Sequence, residues 1–445
     1  VSDNSFNNNG CFAPDRTPHA HAYEVQRIQQ SIHTTPVDLK RGIVEVYNEL
    51  FFSDLTPYAM EWELMADGVA QKMGRIDALY VAPQQRKQFA LGYDEQDYAA
   101  AIADGKEAML NVRYILTEKR PLLDIGHVAA REQIALSEWQ PQNTLAVDND
   151  DKAIKISYFD RATILEGRTW SITFNREGFI SGICYGGDEM MAEGSTLRPN
   201  FWRAPTENDL GAKLHDKFAA WRSPRLQLKE FKAEPQAEQN TASVICTYAM
   251  PDVKATLSLR YDINSRGQIN ISQTLSTEQG ADISGMFRVG MRMELPARYN
   301  IMHYYGRGTV ESYSDRKSAA DVGIYTERVA DQYDATLVRP QESGLHSDMR
   351  WCRLTDTSGK GIELSGAESL IAISALPYSQ EAMDVSVGRP QRHSGDLQPD
   401  GKTHLCIDGV HQGLGCINSW FALPQPPYMV DYKDYKFVYQ IRPIE

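Results

Sequence analysis

Leu197-Arg198-Pro199-Asn200-Phe201-Trp202-Arg203-Ala204-Pro205-Thr206-Glu207-Asn208-Asp209-Leu210-Gly211 is the stretch on which the reading of this chain turns. Two aromatics stand beside an Arg-Ala-Pro turn, and an acidic, amide-rich segment closed by Gly211 follows. Pro199 and Pro205 each remove a backbone donor and fix φ, so the stretch predicts a strand end running into a constrained loop rather than a helix. Functional side chains concentrate on such loops when rigid elements hold them.

On both sides of this stretch the chain is rich in strand signals. Ile43-Val44-Glu45-Val46-Tyr47 and Ala59-Met60-Glu61-Trp62-Glu63-Leu64 are β-rich, and residues 108–116 alternate apolar with polar. Short, evenly spaced strands of this kind predict a sandwich of immunoglobulin or fibronectin type. Residues 97–108 carry a short helical pattern, which Gly105 weakens. Trp139-Gln140-Pro141-Gln142-Asn143-Thr144 reads as an interdomain linker. Beyond it, strand-forming runs recur at 155–159, 169–174, 242–248, 255–261, 268–275, 370–375 and 437–441. One sheet of that length would curl or split, which predicts two packed sheets. Near the start, Asn7-Asn8-Asn9-Gly10 is a polar turn, and Val25, Ile28 and Ile32 recur at helical spacing over residues 20–32.

Composition bounds the function. The chain has 445 residues, 42% of them apolar and 24% charged, enough for two or three globular domains. A net charge of −13 and a pI near 5.3 argue against nucleic acid or an anionic membrane as partner, since both need a basic face. No apolar run is long enough to cross a bilayer as a helix. The start has neither an initiator Met nor a signal-peptide pattern, so it reads as the interior of a longer protein, and the choice between cytoplasm and periplasm stays open. Cysteines 11, 184, 246, 352, 406 and 416 form no C-x-x-C pair and no zinc spacing, which favours buried free thiols and leaves a disulfide and the redox compartment open.

Few residues carry an obvious chemistry. Acid/base and nucleophilic catalysis by two carboxylates needs them opposed and in different environments. Glu207 and Asp209 stand two apart on one segment, and Glu311 and Asp315 share a Gly-rich one, so both pairs read as hydrogen-bonding and ion-pairing groups. His19 and His21 lie beside Pro18 and a helical pattern, which favours a surface or capping role over a metal site. There is no Gly-x-Ser-x-Gly elbow, no P-loop and no dinucleotide fingerprint. Trp420 follows Gly413-Leu414-Gly415-Cys416-Ile417-Asn418-Ser419 and precedes a Pro-rich tail, so it lies on a loop. A large aromatic there can serve as a platform for the apolar face of a sugar ring, or as a packing anchor.

Five segments, in order, resemble the LacZ-type β-galactosidases of glycoside hydrolase family 2. Asn9-Gly10 with Asp15-Arg16-Thr17-Pro18-His19 is similar to the end of the family's catalytic (β/α)8 barrel. Residues 197–211 resemble the signature of its last domain. Residues 304–316 resemble its Gly-x-Gly-x-x-Glu-x-Tyr-x-Asp-Arg segment, with Tyr305 where the first Gly is common. Pro340-Gln341-Glu342-Ser343-Gly344 resembles its Pro-x-Glu-x-Gly turn, and Asp408-Gly409 through Trp420 the segment bearing its active-site tryptophan.

The resemblance implies a mainly β chain: residues 1–35 as the last segment of the barrel, 36–140 as an immunoglobulin-like sandwich, and 141–445 as a large, mutarotase-like antiparallel β-sandwich. It implies the C-terminal part of a retaining enzyme acting on β-D-galactosides, with the catalytic glutamates upstream and none in this chain. Trp420 would stack on the sugar, Gly211 would lie in a loop that moves as substrate settles, and Phe6 and Asn9 would contribute to a sodium site. Sodium and magnesium belong to the complete enzyme and would not be fully bound here; Ser2, where some members carry a ligand Asn, puts a second magnesium site in doubt. The upstream barrel and further copies of the chain are the implied partners. A non-catalytic carbohydrate-binding or assembly module is the alternative, and an aldose 1-epimerase a weaker one, since no His–carboxylate pair stands out around His303 or His346.

Overall fold

The computed structural model describes residues 10–141, 145, 154–236, 240–386, 392–415 and 420–444. They form two compact units: one of Pro18–Gln140 with Ser318–Ile324, the other of Pro141–Lys317 and Tyr325–Glu445 with the residues ahead of Pro18.

The smaller unit is an antiparallel sandwich. Ile32–Asp38, Ile43–Asn48 and Arg86–Ala90 make one sheet, and Val69–Ile76, Tyr58–Ala66, Ala108–Leu116 and Val128–Ala135 the other. Burial alternates strictly along Ile43–Asn48 and along most of Tyr58–Ala66, as a strand with one face on a core requires. Trp62 centres that core against Tyr93 and Tyr98. Gly74 on the neighbouring strand makes room for it, because a Cβ there would sit 2.5 Å from the indole. The Ser318–Ile324 segment is tied in by Gln133, whose amide donates to the Val322 carbonyl and accepts from the Val322 N–H, both at 2.8 Å.

Two local expectations change. The helix at the start ends at Ile28, and Ile32 opens the first strand with its side chain in the core. Val25 and Ile28 are exposed, so the helical spacing there marks no core stripe. The second helix, Gln96–Ala103, does form, and Gly105 is its terminator. At φ 76° it lets Lys106 N–H reach the Ala101 carbonyl at 2.9 Å, a Schellman closure.

The larger unit holds three antiparallel sheets, where the strand pattern predicted two. A five-stranded sheet runs Asp188–Glu189, Ile180–Tyr185, Trp170–Asn175, Ala162–Glu166, Lys155–Tyr158. A nine-stranded sheet runs Gln227–Gln236, Thr241–Met250, Ala255–Asn264, Ile269–Thr277, Tyr435–Ile444, Gly361–Gly366, Trp351–Thr355, Ile301–Gly308, Asp321–Arg328. The third, five-stranded, runs Arg198–Asn200, Arg288–Pro296, Lys402–His411, Ile371–Leu376, His346–Met349. One continuous apolar core joins them, from Leu165 and Phe174 through Tyr261 and Met291 to Ile407 and Ile441. All strands listed above follow the mainly β, antiparallel architecture expected. Among the described residues Cys246 and Cys352 are buried free thiols, while Cys11, Cys184 and Cys406 are only partly covered. Burial pushes the Cys246 thiol up to about 12 and Cys406 up to about 11, which keeps both protonated and inert.

Candidate functional site

Residues 197–211 do not stay extended to their end. After the short strand Arg198–Asn200 and an extended run, Glu207–Gly211 is a helical turn. Both prolines lie upstream of it and so do not oppose it. Thr206 is the N-cap: its hydroxyl accepts from Asp209 N–H at 3.1 Å, and the Asp209 carboxylate accepts from Thr206 N–H at 2.9 Å. This reciprocal box, legible as Thr-x-x-Asp, satisfies donors the turn would otherwise leave open. Gly211 ends the turn with a φ outside the left-handed region.

Asp209 has a second task. Arg203, fully buried, donates to both of its oxygens, from Nε at 2.9 Å and Nη2 at 2.8 Å. The same guanidinium donates to the Gln412 carbonyl at 2.8 Å and the Gly413 carbonyl at 3.2 Å, and lies over the Phe287 ring. Asn208 adds a bond from its amide to the Leu414 carbonyl at 3.2 Å. One buried ion pair thus fastens the Gly211 turn to the segment leading towards Trp420.

Asp315 holds that segment from its other side. Its oxygens accept from Leu414 N–H at 3.0 Å and Gly415 N–H at 2.5 Å. A Cβ on Gly413 would meet the Asp315 carboxylate at 2.4 Å and one on Gly415 at 2.7 Å, so the approach depends on both glycines. Glu311 accepts from Gly344 N–H at 2.7 Å and Ser343 Oγ at 3.2 Å, and pairs with Arg316. The carboxylates at 207, 209, 311 and 315 therefore build structure, as their spacing indicated; Glu207 faces Arg339 at 3.7 Å.

Beneath lies a fully buried cluster that the sequence did not reveal. Arg288 Nη2 donates to Glu342 at 2.7 Å and stands 2.9 Å from His411 Nε2. Its Nη1 is 3.2 Å from Asp408, misaligned for a hydrogen bond, which leaves both Asp408 oxygens without such a partner among the described residues. Burial raises the Asp408 carboxyl to about 7, with Arg288 opposing and Glu342 reinforcing. Burial would raise Glu342 too, but the Arg288 charge, with His411 3.6 Å away, holds it down to about 2. Burial, aided by Arg288, pushes His411 down to about 4, so the ring is neutral at pH 7. His411 Nδ1 meets the Gln412 carbonyl at 2.8 Å, so the cluster abuts the anchored segment.

The segment emerges at the surface. Trp420 is 67% exposed and Phe421 65%, with the Lys213 ammonium over the Phe421 ring at 5.7 Å. The exposure expected for Trp420 is observed. Phe6 and Asn9, named for sodium, lie outside the described residues, as do 416–419. Among the described residues no group of three or more His, Cys, Asp or Glu is placed to hold a metal ion. His19 stacks on His21 at 5.5 Å and sits at a helix N-cap without a side-chain cap bond. His346 is buried against Gln332, the Arg307 carbonyl and Tyr304, while the half-exposed His303 meets Thr326; neither has a hydrogen bond to a carboxylate among the described residues.

Four of the five sequence segments therefore meet at one place. Arg203 and Asp209, Glu311 and Asp315, Glu342 and Gly344, Asp408 and His411 come from stretches up to two hundred residues apart, and together they position one loop.

Comparison with known proteins agrees. The family model for the β-galactosidase small chain matches residues 166–441, and that for β-galactosidase domain 4 matches 44–137. A β-galactosidase of Priestia megaterium is 27% identical over 453 aligned residues, covering 100% of this chain and 41% of the relative. One of Aeromonas hydrophila is 27% identical, covering 96% and 40%. A galactose mutarotase-related enzyme of Lactobacillus acidophilus superposes with a TM-score of 0.37 at 9% identity, over 64% of this chain and 97% of its own. The chain thus spans about two fifths of the length of the curated relatives it matches. With both units matched by models of one enzyme, the chain belongs to the β-galactosidase small-chain family.

Proposed function

We propose that this chain is the C-terminal part of a retaining β-galactosidase and lends its active site an aromatic platform, Trp420. The observation that carries the reading is the exposed Trp420 beyond a segment fixed by Arg203, Asn208 and Asp315. A large aromatic that is mostly exposed, beyond a Gln412–Gly415 backbone hydrogen-bonded on two sides, suits a ligand-stacking role. The Gly211 turn is tied to the same segment through Asn208, and Lys213 just beyond it lies over the neighbouring Phe421 ring. Asp209, Glu311 and Asp315 are committed to structural partners, so the proton donor and nucleophile of a retaining mechanism come from the upstream barrel. Sodium and magnesium would enter with that barrel.

In the complete enzyme, Trp420→Ala should weaken galactoside binding by roughly 2 kcal/mol, the scale of an aromatic hot spot. In this chain the same change should leave the melting temperature nearly unaltered, since little packing is lost. The chain alone should turn over no nitrophenyl β-galactoside above a matched blank. Unchanged inhibition constants for galactose analogues in the Trp420→Ala enzyme would refute the platform; a melt lowered by many degrees would make Trp420 a packing anchor.

A further inference from the structure

Four residues along the strand from Arg288, the larger unit sets two arginines directly opposite each other. Arg198, in the strand Arg198–Asn200, pairs in register with Arg292, in the strand Arg288–Pro296. Opposed residues of an antiparallel pair bring their Cβ atoms to about 4.5–5.5 Å, and like charges placed so repel. The register is not free to relax, because Asn200, two residues along the strand, is buried and bonded to Gln380 at 3.1 Å.

The two guanidinium groups differ in how they are satisfied. Arg292 pairs with Glu381 at 2.6 Å. The Arg198 guanidinium is half-buried and has no hydrogen-bonded or ion-paired side chain among the described residues. Glu177, Glu294 and Glu381 act on it only from a distance, and burial together with the Arg292 charge lowers its pKa from the usual arginine value. It remains charged, since a guanidinium does not deprotonate in the working pH range.

Both arginines line a cleft of about 520 Å³ that also carries Arg176, Arg222 and one carboxylate, Glu177. Arg176 is paired with Asp160 at 2.5 Å and Arg222 with Asp384 at 2.7 Å. Every arginine of the cleft except Arg198 thus has a carboxylate of its own. A half-buried, unpaired cation beside a second cation is unfavourable in an empty cleft, and an anion bound between them removes both penalties together.

We propose that this cleft is a binding site for a small oxyanion, a phosphate or a carboxylate-bearing molecule, held chiefly by Arg198. The planar fork of a guanidinium matches two oxygens of such a group. Arg292 closes the opposite side, its partner Glu381 keeping it in place, and the cleft's volume exceeds that of a bare phosphate, leaving room for a polar body behind the anionic group. The site is separate from the Trp420 loop and does not depend on the sugar-binding reading.

The test uses the 445-residue chain, with inorganic phosphate and citrate as probes and chloride to hold ionic strength constant. Calorimetric titration should show saturable binding of at least one probe in the millimolar range or tighter, and the bound anion should raise the melting temperature. Arg198→Met should weaken binding roughly tenfold or more, yet melt no lower than the parent without anion, because the like-charge contact is gone. Arg198→Lys should keep partial affinity. Arg176→Met, a rim change with its own carboxylate, should bind within about twofold of the parent. A preference for citrate would mark a carboxylate-bearing ligand, and for phosphate a phosphoryl one; either supports the site. Absence of saturable binding by both probes, or equal affinity in Arg198→Met, would overturn it. Should Arg198→Met fail to fold, Arg198→Gln carries the same comparison.

Discussion

At Asp408 a buried carboxyl makes the stability of the fold depend on pH. Its pKa in the fold is about 7, above its unfolded value near 3.8, so the folded state binds the extra proton between those limits. Stability contributed by the protonated form is therefore full at low pH and lost as pH rises towards 7. His411 behaves oppositely: lowered to about 4 from 6.5, it adds stability as pH rises through that interval. Glu342, held at about 2 against 4.5, contributes above pH 4.5 and is lost below it. Between pH 4 and 6.5 the first two oppose each other. Asp408→Asn removes one of them, so relative to the parent the variant should gain stability with rising pH, by at most about 1.4 kcal/mol per unit. Urea unfolding at pH 5, 6, 7 and 8 reads this directly, and parallel curves for parent and variant would contradict it. The same buried setting explains why Arg203 and Asp209 are interdependent: removing either leaves the other charged, dry and alone, a loss of about 3–5 kcal/mol for pairs of this kind.

The segment from Gln412 to Gly415 shows how an irregular element is specified. It has no ladder of its own; its carbonyls are taken by Arg203 and Asn208, and its N–H groups by Asp315, the Phe287 carbonyl and the Tyr428 carbonyl. Asp315→Ala removes two of these acceptors at once. Amide exchange at Leu414 and Gly415 should accelerate markedly in that variant, while exchange in the core strands Arg288–Pro296 and Lys402–His411 stays slow. Unaltered protection at both amides would show that the anchor lies elsewhere. If the platform reading of Trp420 holds, the complete enzyme carrying Asp315→Ala should also bind galactosides more weakly, because the loop must then be ordered by the ligand. The sequence displayed this element only as glycines before a tryptophan.

Across the whole molecule the decisive feature is where the chain ends up in the nine-stranded sheet. Tyr435–Ile444 lies at its centre, between Ile269–Thr277 and Gly361–Gly366, and brings Phe437, Tyr439 and Ile441 into the core. Truncation after Asp434 would split that sheet into two open edges and expose those side chains. Such a chain should lose the near-ultraviolet dichroism and cooperative melt of the larger unit and become protease-sensitive there. Retention of both would mean that the strand adds to a sheet already stable without it.

The sequence by itself determined the strands and the family. Alternation along Ile43–Asn48 and Ala108–Leu116 is a local property of side-chain period, and so is the wording of 197–211, which identified the relatives. It also indicated that Glu207, Asp209, Glu311 and Asp315 do structural work, and that Trp420 stands on a loop. The Thr206–Asp209 box and the Gly105 terminator were legible too, but the prolines and the low helix propensity of glycine obscured them. What only the tertiary structure decided is non-local. Three sheets instead of two, the last strand at the sheet's centre, the Arg288 cluster and the opposed Arg198 and Arg292 all depend on which strands pair and in what register. A one-residue slip would move every one of those side chains to the other face. Pairing energy is shared among residues hundreds of positions apart, so no local window of sequence contains it.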